Sequence, residues 1–335
     1  MTIRQMLEAK EKSTLNKYAC LSSETLGREQ EENLCDIRTN FQMDRDRILH
    51  SKSFRRLKHK TQVFISPESD HFRTRLTHTL EVAQIARTMA KALELNEDLT
   101  EAIALGHDLG HTPFGHAGED ALNSVTPFGF AHNLQSIRVV CKLEGDNGLN
   151  LSKEVLDGIK NHTGPISPFT LEGQLVKLAD RIAYINHDIE DAITANIISA
   201  DDLPFKSLKV LGCSKSDRID TLVKDIIICS KEQQQISQTP VVKESMDELR
   251  EFLFDSVYLN SPAKTQEYKA KNMIIQLYHL FLQNPQKMES KDHADANELG
   301  DVERKVCDYI AGMTDRYIVS TYKQHFIPRG WSRNL

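Results

Sequence analysis

The spacing of apolar positions along the 335-residue chain predicts a mostly helical protein. Apolar residues recur with a period close to 3.6, whereas the strict alternation of a half-buried strand is rare. The pattern predicts helices over 1–20, 44–60, 72–94, 99–108, 117–124, 131–144, 152–161 and 171–200. Residues 61–66 are β-branched and aromatic, which favours a short strand. We therefore expect an all-α fold with at most a small β-hairpin.

Polar and turn-forming segments separate the predicted helices. Residues 21–43 are polar and read as a loop, and Pro113 and Gly115 forbid a continuous helix in the stretch after residue 108. Residues 201–217 are predicted to connect two helical regions, and the polar residues 285–300 are predicted to form an exposed loop. The helical pattern beyond 217 carries little recognisable chemistry.

Composition and charge narrow the class of protein. Apolar residues make up 39% of the chain, charged residues 27%, and the formal net charge is −6. We therefore expect no global basic field that would recruit nucleic acid or an acidic membrane. The chain shows neither the apolar core of a secretory signal nor a run of the ~18 apolar residues that a membrane helix needs. Its six scattered cysteines form no C-x-x-C pair. These features predict a cytoplasmic protein without membrane contact.

Four side chains that suit a divalent cation each lie beside an apolar helical stripe, which predicts that they point inward. They are His78, His107, Asp108 and Asp180. Imidazole nitrogen and carboxylate oxygen together suit Mn²⁺, Fe²⁺, Co²⁺ or Mg²⁺. An ion with an open position can lower the pKa of a water molecule and polarise a phosphoryl oxygen. A single histidine on such a helix is most often a core residue, but four suitable ligands in helical contexts favour a metal site.

The stretch GHDLGHTPFGHAGED at 106–120 is dense in groups that can do chemistry. Glu119 follows His116 by three residues and shares its face if a helix begins near Gly115. Such a pair can orient an imidazole and move a proton. The alternative is a glycine-rich turn with helix caps, but His111 and the preceding His-Asp pair favour a functional loop.

The order of these motifs resembles that of the HD-domain deoxynucleoside triphosphate triphosphohydrolases, the dGTPase-like proteins. Besides 106–120, the matching segments are RDRILHSKSFRRLKHKTQVF at 45–64, RTRLTHTLEVAQIAR at 73–87, FAHNLQSIRVV at 130–140 and LADRIAYINHDIEDA at 178–192. The resemblance covers most of residues 44–195 and is weak over 200–335.

The resemblance implies an organisation for the whole chain. We expect an HD-domain helical bundle with additional C-terminal helices. The predicted parts are an N-terminal extension at 1–43, a catalytic core at 44–200 and a C-terminal helical region at 201–335. Members of the family form multimers, which implies a tetramer or hexamer with subunit contacts in the C-terminal region. Some members are activated by dNTPs, which implies a dNTP effector site between subunits.

Roles for single residues follow from the same resemblance. The metal ligands of the family match His78, His107, Asp108 and Asp180. The histidines around its triphosphate match His111, His116 and His132. The acidic partner of His116 matches Glu119, and this pair assists attack at the α-phosphorus.

The residues that hold the substrate match a further set. The family's phosphate-contacting residues match Arg75 and Arg181. Its residues at the 3′-hydroxyl match Gln62 and Asp188, and the residue that packs against its deoxyribose matches Tyr184. Asp180, Tyr184 and Asp188 follow i, i+4, i+8 spacing and share one helix face, so they would line one cleft. A tyrosine under the sugar would disfavour a 2′-hydroxyl and select deoxynucleotides; the alternative for Tyr184 is a core aromatic.

Residues 45–60 are strongly basic, and Arg45, Lys52 and Arg56 fall on one face of the predicted helix. Three interpretations compete. The face is solvated, or it binds single-stranded nucleic acid, or it forms a wall that holds the phosphates of the substrate or of an effector nucleotide. Arginine forks suit phosphate geometry, which favours the phosphate wall. The acidic net charge and the scarcity of interleaved aromatics weaken the nucleic-acid interpretation.

The favoured function is metal-dependent hydrolysis of dNTPs, of dGTP or more generally, to a deoxynucleoside and inorganic triphosphate. Two alternatives stay open. One is another HD phosphohydrolase, acting on nucleoside monophosphates, cyclic dinucleotides or guanosine tetraphosphate. The other is a nucleotide-sensing or nucleic-acid-binding module. The sequence does not fix the preferred base or the native metal.

Overall fold

The computed structural model describes residues 1–62, 73–259, 264–288 and 299–328. Over these ranges the chain is helical and contains no strand; the nearest approach to a sheet is an isolated antiparallel bridge between Thr61 and Thr74. The all-α prediction is confirmed. Among the described helices, none combines the length and the apolar character needed to cross a bilayer.

The described ranges contain fifteen α-helices. In chain order they are α1 (Ile3–Thr14), α2 (Asn40–His50), α3 (Lys52–Arg56), α4 (Arg75–Ala92), α5 (Glu97–Gly106), α6 (Gly115–Val125), α7 (His132–Arg138), α8 (Lys153–Asn161), α9 (Leu171–Thr194), α10 (Phe205–Leu211), α11 (Lys215–Ser230), α12 (Pro240–Leu253), α13 (Lys264–Gln283), α14 (Leu299–Ala311) and α15 (Asp315–Phe326). Shorter 3₁₀ turns lie at Ser22–Glu24, Leu57–His59, Ala200–Asp202 and Pro285–Lys287, and π-helical turns at Val139–Leu143 and Phe254–Leu259.

The basic segment is not the single helix that the sequence predicted over 44–60. Helix α2 begins inside the predicted loop, where the Gln42 side chain accepts the N–H of Thr39, and it ends at His50. Ser51 then starts α3, because its hydroxyl oxygen accepts the N–H of Phe54 at 3.1 Å. Arg45 therefore lies on a different helix from Lys52 and Arg56, and the predicted shared face does not exist.

Two further predictions differ from the structure, and two fall partly outside the residues that it describes. The connector predicted over 201–217 contains α10 and the start of α11, and the helix predicted to reach residue 200 ends at Thr194. The loop predicted over 285–300 begins as a 3₁₀ turn and reaches α14 at Leu299, while its residues 289–298 lie outside the described ranges, as do residues 63–66 of the predicted strand.

Two apolar cores hold the helices together. In the first, α4, α5 and α9 pack with α2, α8, α11 and α12 around fully buried residues such as Met89, Ile103 and Ile182. In the second, α6 packs against α13, and α14 and α15 pack against α13 in turn, around Leu122 and Phe281. Helix α6 comes from the predicted catalytic core, whereas α11 and α12 come from the predicted C-terminal region. Packing therefore crosses residue 200, and the three domain boundaries stay predictions.

Two buried charged side chains join the C-terminal helices to the loop that precedes α6. Asp315, at the start of α15, accepts the N–H of Phe114 at 3.0 Å and both the N–H and the hydroxyl of Thr61 at 3.0 and 2.7 Å. Lys60 donates through Nζ to the carbonyl oxygens of His111 and Ala311. The loop at 107–116 is thus held from the C-terminal side as well as by the helices that flank it.

Replacing Asp315 with alanine should lower the free energy of unfolding by about 2 kcal/mol or more, because two backbone N–H groups lose their acceptor. Urea unfolding followed by circular dichroism measures this loss. The matched control is Asp220→Ala, which removes an exposed pair with Lys224 and should change stability by less than about 1 kcal/mol. Equal losses in the two variants would contradict the role given to Asp315.

Candidate functional site

Four side chains meet where α4, α5 and α9 pack against one another. His78 lies on α4, His107 and Asp108 follow the end of α5, and Asp180 lies on α9. Oδ1 of Asp180 is 3.0 Å from Nε2 of His78 and 3.7 Å from Nε2 of His107. Oδ1 of Asp108 lies 3.5 Å from Nε2 of His107. The structure therefore brings together the four residues that the sequence indicated as ligands.

The donor atoms of this cluster fit a divalent ion. Nδ1 of His107 donates to the carbonyl oxygen of Ala104 at 2.6 Å, and its buried Nε2 has no hydrogen-bond partner. A metal-ligating histidine commonly binds a backbone carbonyl through its other nitrogen in this way. Donor atoms of His78, His107 and Asp108 lie within 4.8 Å of one another. Asp180 keeps 21% of its side chain exposed, so the cluster is open on that side.

The charges of the cluster also favour a cation. Burial raises the pKa of Asp108, but the neighbouring His107, His111 and Arg75 outweigh it and hold that pKa well below its ordinary value. Burial of Asp180 is likewise outweighed, by the hydrogen bond from His78 and the charge of His107, and its pKa is lowered. The lowered pKa values favour the ionised form of both carboxylates, and ionised carboxylates in a protein interior need compensating charge.

Arg75 supplies part of that compensation. Its side chain is 2% exposed, and Nη1 lies 2.9 Å from Oδ2 of Asp108. The other end of the guanidinium faces Gly115, because a Cβ built on Gly115 would lie 2.9 Å from Nη2 of Arg75 and 3.2 Å from the carbonyl oxygen of Gln62. The side-chain oxygen of Gln62 is buried and has no hydrogen-bond partner. Arg75 and Gln62 therefore meet at the loop before α6.

A second group of imidazoles lies beside the metal-ligand cluster. The rings of His111 and His132 stack with their centroids 4.0 Å apart, and Nε2 of His111 is 3.3 Å from Oδ1 of Asp108. Nδ1 of His132 lies 3.0 Å from Oε2 of Glu119, and the backbone N–H of His132 donates to Oε1 at 2.9 Å. Glu119 thus orients His132 through both oxygens.

His162 belongs to this group, although no motif in the sequence includes it. Its Nδ1 donates to the carbonyl oxygen of Ile159 at 2.7 Å, so Nε2 is an acceptor, and it lies 3.2 Å from Nε2 of His132. Burial and the neighbouring His107 lower the pKa of His162 to about 3. A lone histidine at a helix end carries no motif, so only the packing of α8 against α7 reveals its place.

His116 is the exposed member of the histidine group, and its ring lies edge-on to that of His111 with the centroids 5.9 Å apart. Its side chain is 77% exposed, and Nδ1 lies 3.7 Å from Oε2 of Glu119, beyond hydrogen-bond distance. The chain turns sharply before α6, with a φ of 62° at Phe114 and 56° at Gly115, and His116 follows this turn at the solvent-exposed start of the helix. The predicted i, i+3 relation between His116 and Glu119 is present, but the closer partner of Glu119 is His132.

The second half of α9 carries the residues expected to hold the sugar. Asp188 is buried, accepts the hydroxyl of Tyr258 on one oxygen and has no partner on the other. Burial raises the pKa of Asp188 to about 7 and that of Tyr184, one turn earlier, to about 12. The sequence did not indicate Tyr258, because it lies in the π-helical turn after α12, where the resemblance was weak.

The remaining cationic residues predicted to bind phosphate, Arg181, Arg56 and Lys52, are more exposed to solvent than Arg75. Nη1 of Arg181 is 3.6 Å from Oδ1 of Asp247, and both side chains are about one-third exposed. Arg56 donates to the hydroxyl of Ser53 at 3.1 Å and lines a cavity against α14. Lys52 is exposed at the start of α3. The structure therefore groups Arg56 with the C-terminal helices rather than with Arg75.

Comparison with known proteins places the chain in a family. The HD domain model matches residues 75–185, which include all four cluster residues, and the phosphohydrolase-associated domain model matches 236–324. A deoxyguanosinetriphosphate triphosphohydrolase-like protein of Caldanaerobacter subterraneus is 56% identical, over 99% of this chain and 98% of that protein. A protein of the same description from Clostridium perfringens is 49% identical, over 98% of this chain and 99% of that protein. Another from Geobacter metallireducens is 40% identical, over 96% of this chain and 97% of that protein. The chain therefore belongs to the deoxyguanosinetriphosphate triphosphohydrolase-like proteins, a family built on the HD domain.

Proposed function

We propose that this protein hydrolyses 2′-deoxynucleoside 5′-triphosphates, dGTP or dNTPs generally, to a deoxynucleoside and inorganic triphosphate. The observation that carries the proposal is the meeting of two histidines and two aspartates beside Arg75 and the stacked pair His111 and His132. The relatives named as deoxyguanosinetriphosphate triphosphohydrolase-like proteins support the same substrate class.

A divalent ion is part of the proposal, and His78, His107, Asp108 and Asp180 would hold it. Manganese, magnesium, cobalt and iron all accept such a mixed nitrogen and oxygen set. When bound, the ion supplies a Lewis acid that neutralises phosphate charge and lowers the pKa of a water molecule. Arg75 then holds the phosphates, because the end of its guanidinium that is not bound to Asp108 faces the loop before α6.

Proton transfer falls to the imidazoles around Glu119. The leaving group is the 5′-oxygen of the deoxynucleoside, and it needs a proton as the bond to the α-phosphorus breaks. Glu119 lies between His132 at 3.0 Å and His116 at 3.7 Å. We propose that His132 fixes the carboxylate in place and that His116, backed by the same carboxylate, delivers the proton. The exposed ring of His116 can exchange protons with solvent between turnovers.

Sugar recognition is proposed for the second half of α9. Asp188 has one oxygen without a hydrogen-bond partner, which would accept the 3′-hydroxyl, and the side-chain amide N–H of Gln62 would donate to the oxygen of the same hydroxyl. Tyr258 orients Asp188 through its hydroxyl, and Tyr184 would lie under the deoxyribose. Arg181, whose side chain is about one-third exposed, would bind the phosphates from the solvent side of the site.

Assembly and location complete the proposal. We propose a cytoplasmic homo-oligomer, a tetramer or hexamer, with a dNTP effector bound between subunits, because the relatives cover nearly the whole chain and the family resemblance implies this organisation. Light scattering of the purified protein with and without dNTPs tests it, and a monomer under both conditions would contradict it.

The central test is incubation with each dNTP, singly and mixed, in Mn²⁺ or Mg²⁺. We expect deoxynucleoside and intact triphosphate, and no turnover in EDTA. Asp108→Ala should lose both the bound metal, measured by elemental analysis, and the turnover, while the exposed control Asp201→Ala should keep both. Orthophosphate released from nucleoside monophosphates would instead identify another HD phosphohydrolase. Nucleotide or DNA binding without metal-dependent turnover would identify a binding module.

Replacing His116 with alanine should lower kcat by about 10²- to 10⁴-fold, the usual contribution of a positioned general acid. Metal content should stay unchanged, because His116 is not one of the four proposed ligands and its side chain is 77% exposed. His132→Ala should also lower kcat, since Glu119 loses its nearer partner. If His116→Ala turns over at the native rate while His132→Ala does not, the proton belongs to His132.

A pair of substrates tests the role of Asp188. With a 2′,3′-dideoxynucleoside triphosphate, the unaltered protein should lose kcat/KM by about tenfold, since a buried polar group left without its partner costs about 1–3 kcal/mol. Asp188→Ala should show a similar loss with the normal dNTP and little further loss with the dideoxy substrate. A full additional loss in the variant would mean that Asp188 does not read the 3′-hydroxyl.

A further inference from the structure

Two imidazole nitrogens face each other beside the four proposed metal ligands. Nε2 of His132 and Nε2 of His162 are 3.2 Å apart, where α7 packs against α8. His162 is buried, and His132 is largely buried. Neither residue belongs to the four-residue cluster, and the proposed function uses only the Nδ1 side of His132. This pair of Nε2 atoms therefore has no role yet.

The other nitrogen of each ring acts as a donor. Nδ1 of His162 lies 2.7 Å from the carbonyl oxygen of Ile159, and Nδ1 of His132 lies 3.0 Å from Oε2 of Glu119. A carbonyl oxygen and a carboxylate can only accept a hydrogen bond, so both rings carry a hydrogen on Nδ1. When the rings are neutral, both Nε2 atoms are acceptors. Two acceptors 3.2 Å apart repel each other unless a cation, either a proton or a metal ion, lies between them.

The spacing of the pair fits a shared metal ion. Two imidazole nitrogens that bind one ion at about 2.1 Å are about 3.0–3.4 Å apart when the angle between them is roughly 90–110°. The 3.2 Å between His132 and His162 lies in that range. Both rings also make, through Nδ1, the carbonyl or carboxylate contact that commonly orients a metal-ligating histidine. The pair therefore has the separation and the orientation of two ligands.

Asp108 lies between the four-residue cluster and the second group of histidines. Its Oδ1 is 3.5 Å from Nε2 of His107 and 3.3 Å from Nε2 of His111. Donor atoms of Asp108, His111 and His132 lie within 4.8 Å of one another. The ring of His162 lies edge-on to that of His107, with the centroids 5.0 Å apart. One carboxylate oxygen therefore faces both groups, and it can serve an ion in each.

We propose that His132, His162 and Asp108 hold a second divalent ion, and that Asp108 is shared between this ion and the first. Three protein ligands leave positions open for phosphate oxygens of a substrate. The set of two nitrogens and one oxygen favours Mn²⁺, Fe²⁺ or Co²⁺ over Mg²⁺. His111, whose ring stacks on that of His132 at 4.0 Å, holds the His132 ring in place. The inference rests on the proposed function for the first ion, because the two ions share Asp108.

Metal counting tests the second ion without relying on turnover. The full chain is stripped with EDTA and dialysed against Mn²⁺, and the bound metal is measured by elemental analysis. We expect two ions per chain in the native protein, one in His162→Ala and none in Asp108→Ala, which removes the shared ligand. The matched control His50→Ala removes an exposed histidine outside both groups and should keep two ions.

Electron paramagnetic resonance of the bound Mn²⁺ shows whether the two ions are neighbours. Ions in two-metal sites lie about 3.5–4 Å apart, so the native protein should give the broadened spectrum of a spin-coupled pair. His162→Ala should give the six-line spectrum of an isolated ion. His132→Asn removes the other ligand of the pair and should give the same spectrum, which keeps the test decisive if His162→Ala does not fold by circular dichroism.

The outcomes for the two ions are distinguishable. One ion per chain in the native protein would overturn the second site and would mean that a proton lies between His132 and His162. Two ions without spin coupling, or a coupled pair that persists in His162→Ala and His132→Asn, would overturn it as well. No bound ion at all would contradict the metal site of the proposed function too. A coupled pair in a protein that does not hydrolyse dNTPs would contradict the proposed function and support the second site.

Discussion

The structure depends on two ionised carboxylates held where three helices cross. Asp108 and Asp180 sit among apolar side chains of α4, α5 and α9, where an uncompensated charge is costly. Arg75 offsets one of the two charges through its contact with Asp108, and His78 binds Asp180. A divalent ion would offset both carboxylates at once and would bind the nitrogen of His107 that has no hydrogen-bond partner. Such an ion would therefore also stabilise the core that positions the site.

The C-terminal region contributes side chains to the candidate site. Tyr258 orients Asp188, and Asp315 fixes Thr61 beside Gln62 and Phe114 beside His116. Tyr258 and Asp315 lie inside the segment that matches the phosphohydrolase-associated domain, at 236–324. The segment that matches the HD domain contains the four proposed metal ligands, and the segment that matches the associated domain contributes residues around them. In keeping with this arrangement, helices from both sides of residue 200 pack together in each apolar core.

The sequence predicted what depends on local pattern and missed what depends on packing. Helical periodicity located α4, α5 and α9, and with them the inward positions of His78, Asp108 and Asp180. It could not locate the break at Ser51, because a serine cap interrupts the helix without interrupting the run of basic residues. It missed His162 and Tyr258 because each is a single side chain that reaches the site only through tertiary contacts. It paired Glu119 with His116 because the i, i+3 rule holds within α6, while the nearer partner, His132, comes from another helix.

Close packing of Gly110 against α7 determines how the loop at 107–116 can respond to a ligand. A Cβ on Gly110 would lie 2.1 Å from the backbone nitrogen of Ser136, so the loop already touches the backbone of α7 and cannot move farther in that direction. On the other side its contacts are the hydrogen bonds of Lys60 and Asp315, which bend and exchange more easily than a packed backbone. Adjustment of His111 and His116 is therefore expected to come from the side of the C-terminal helices.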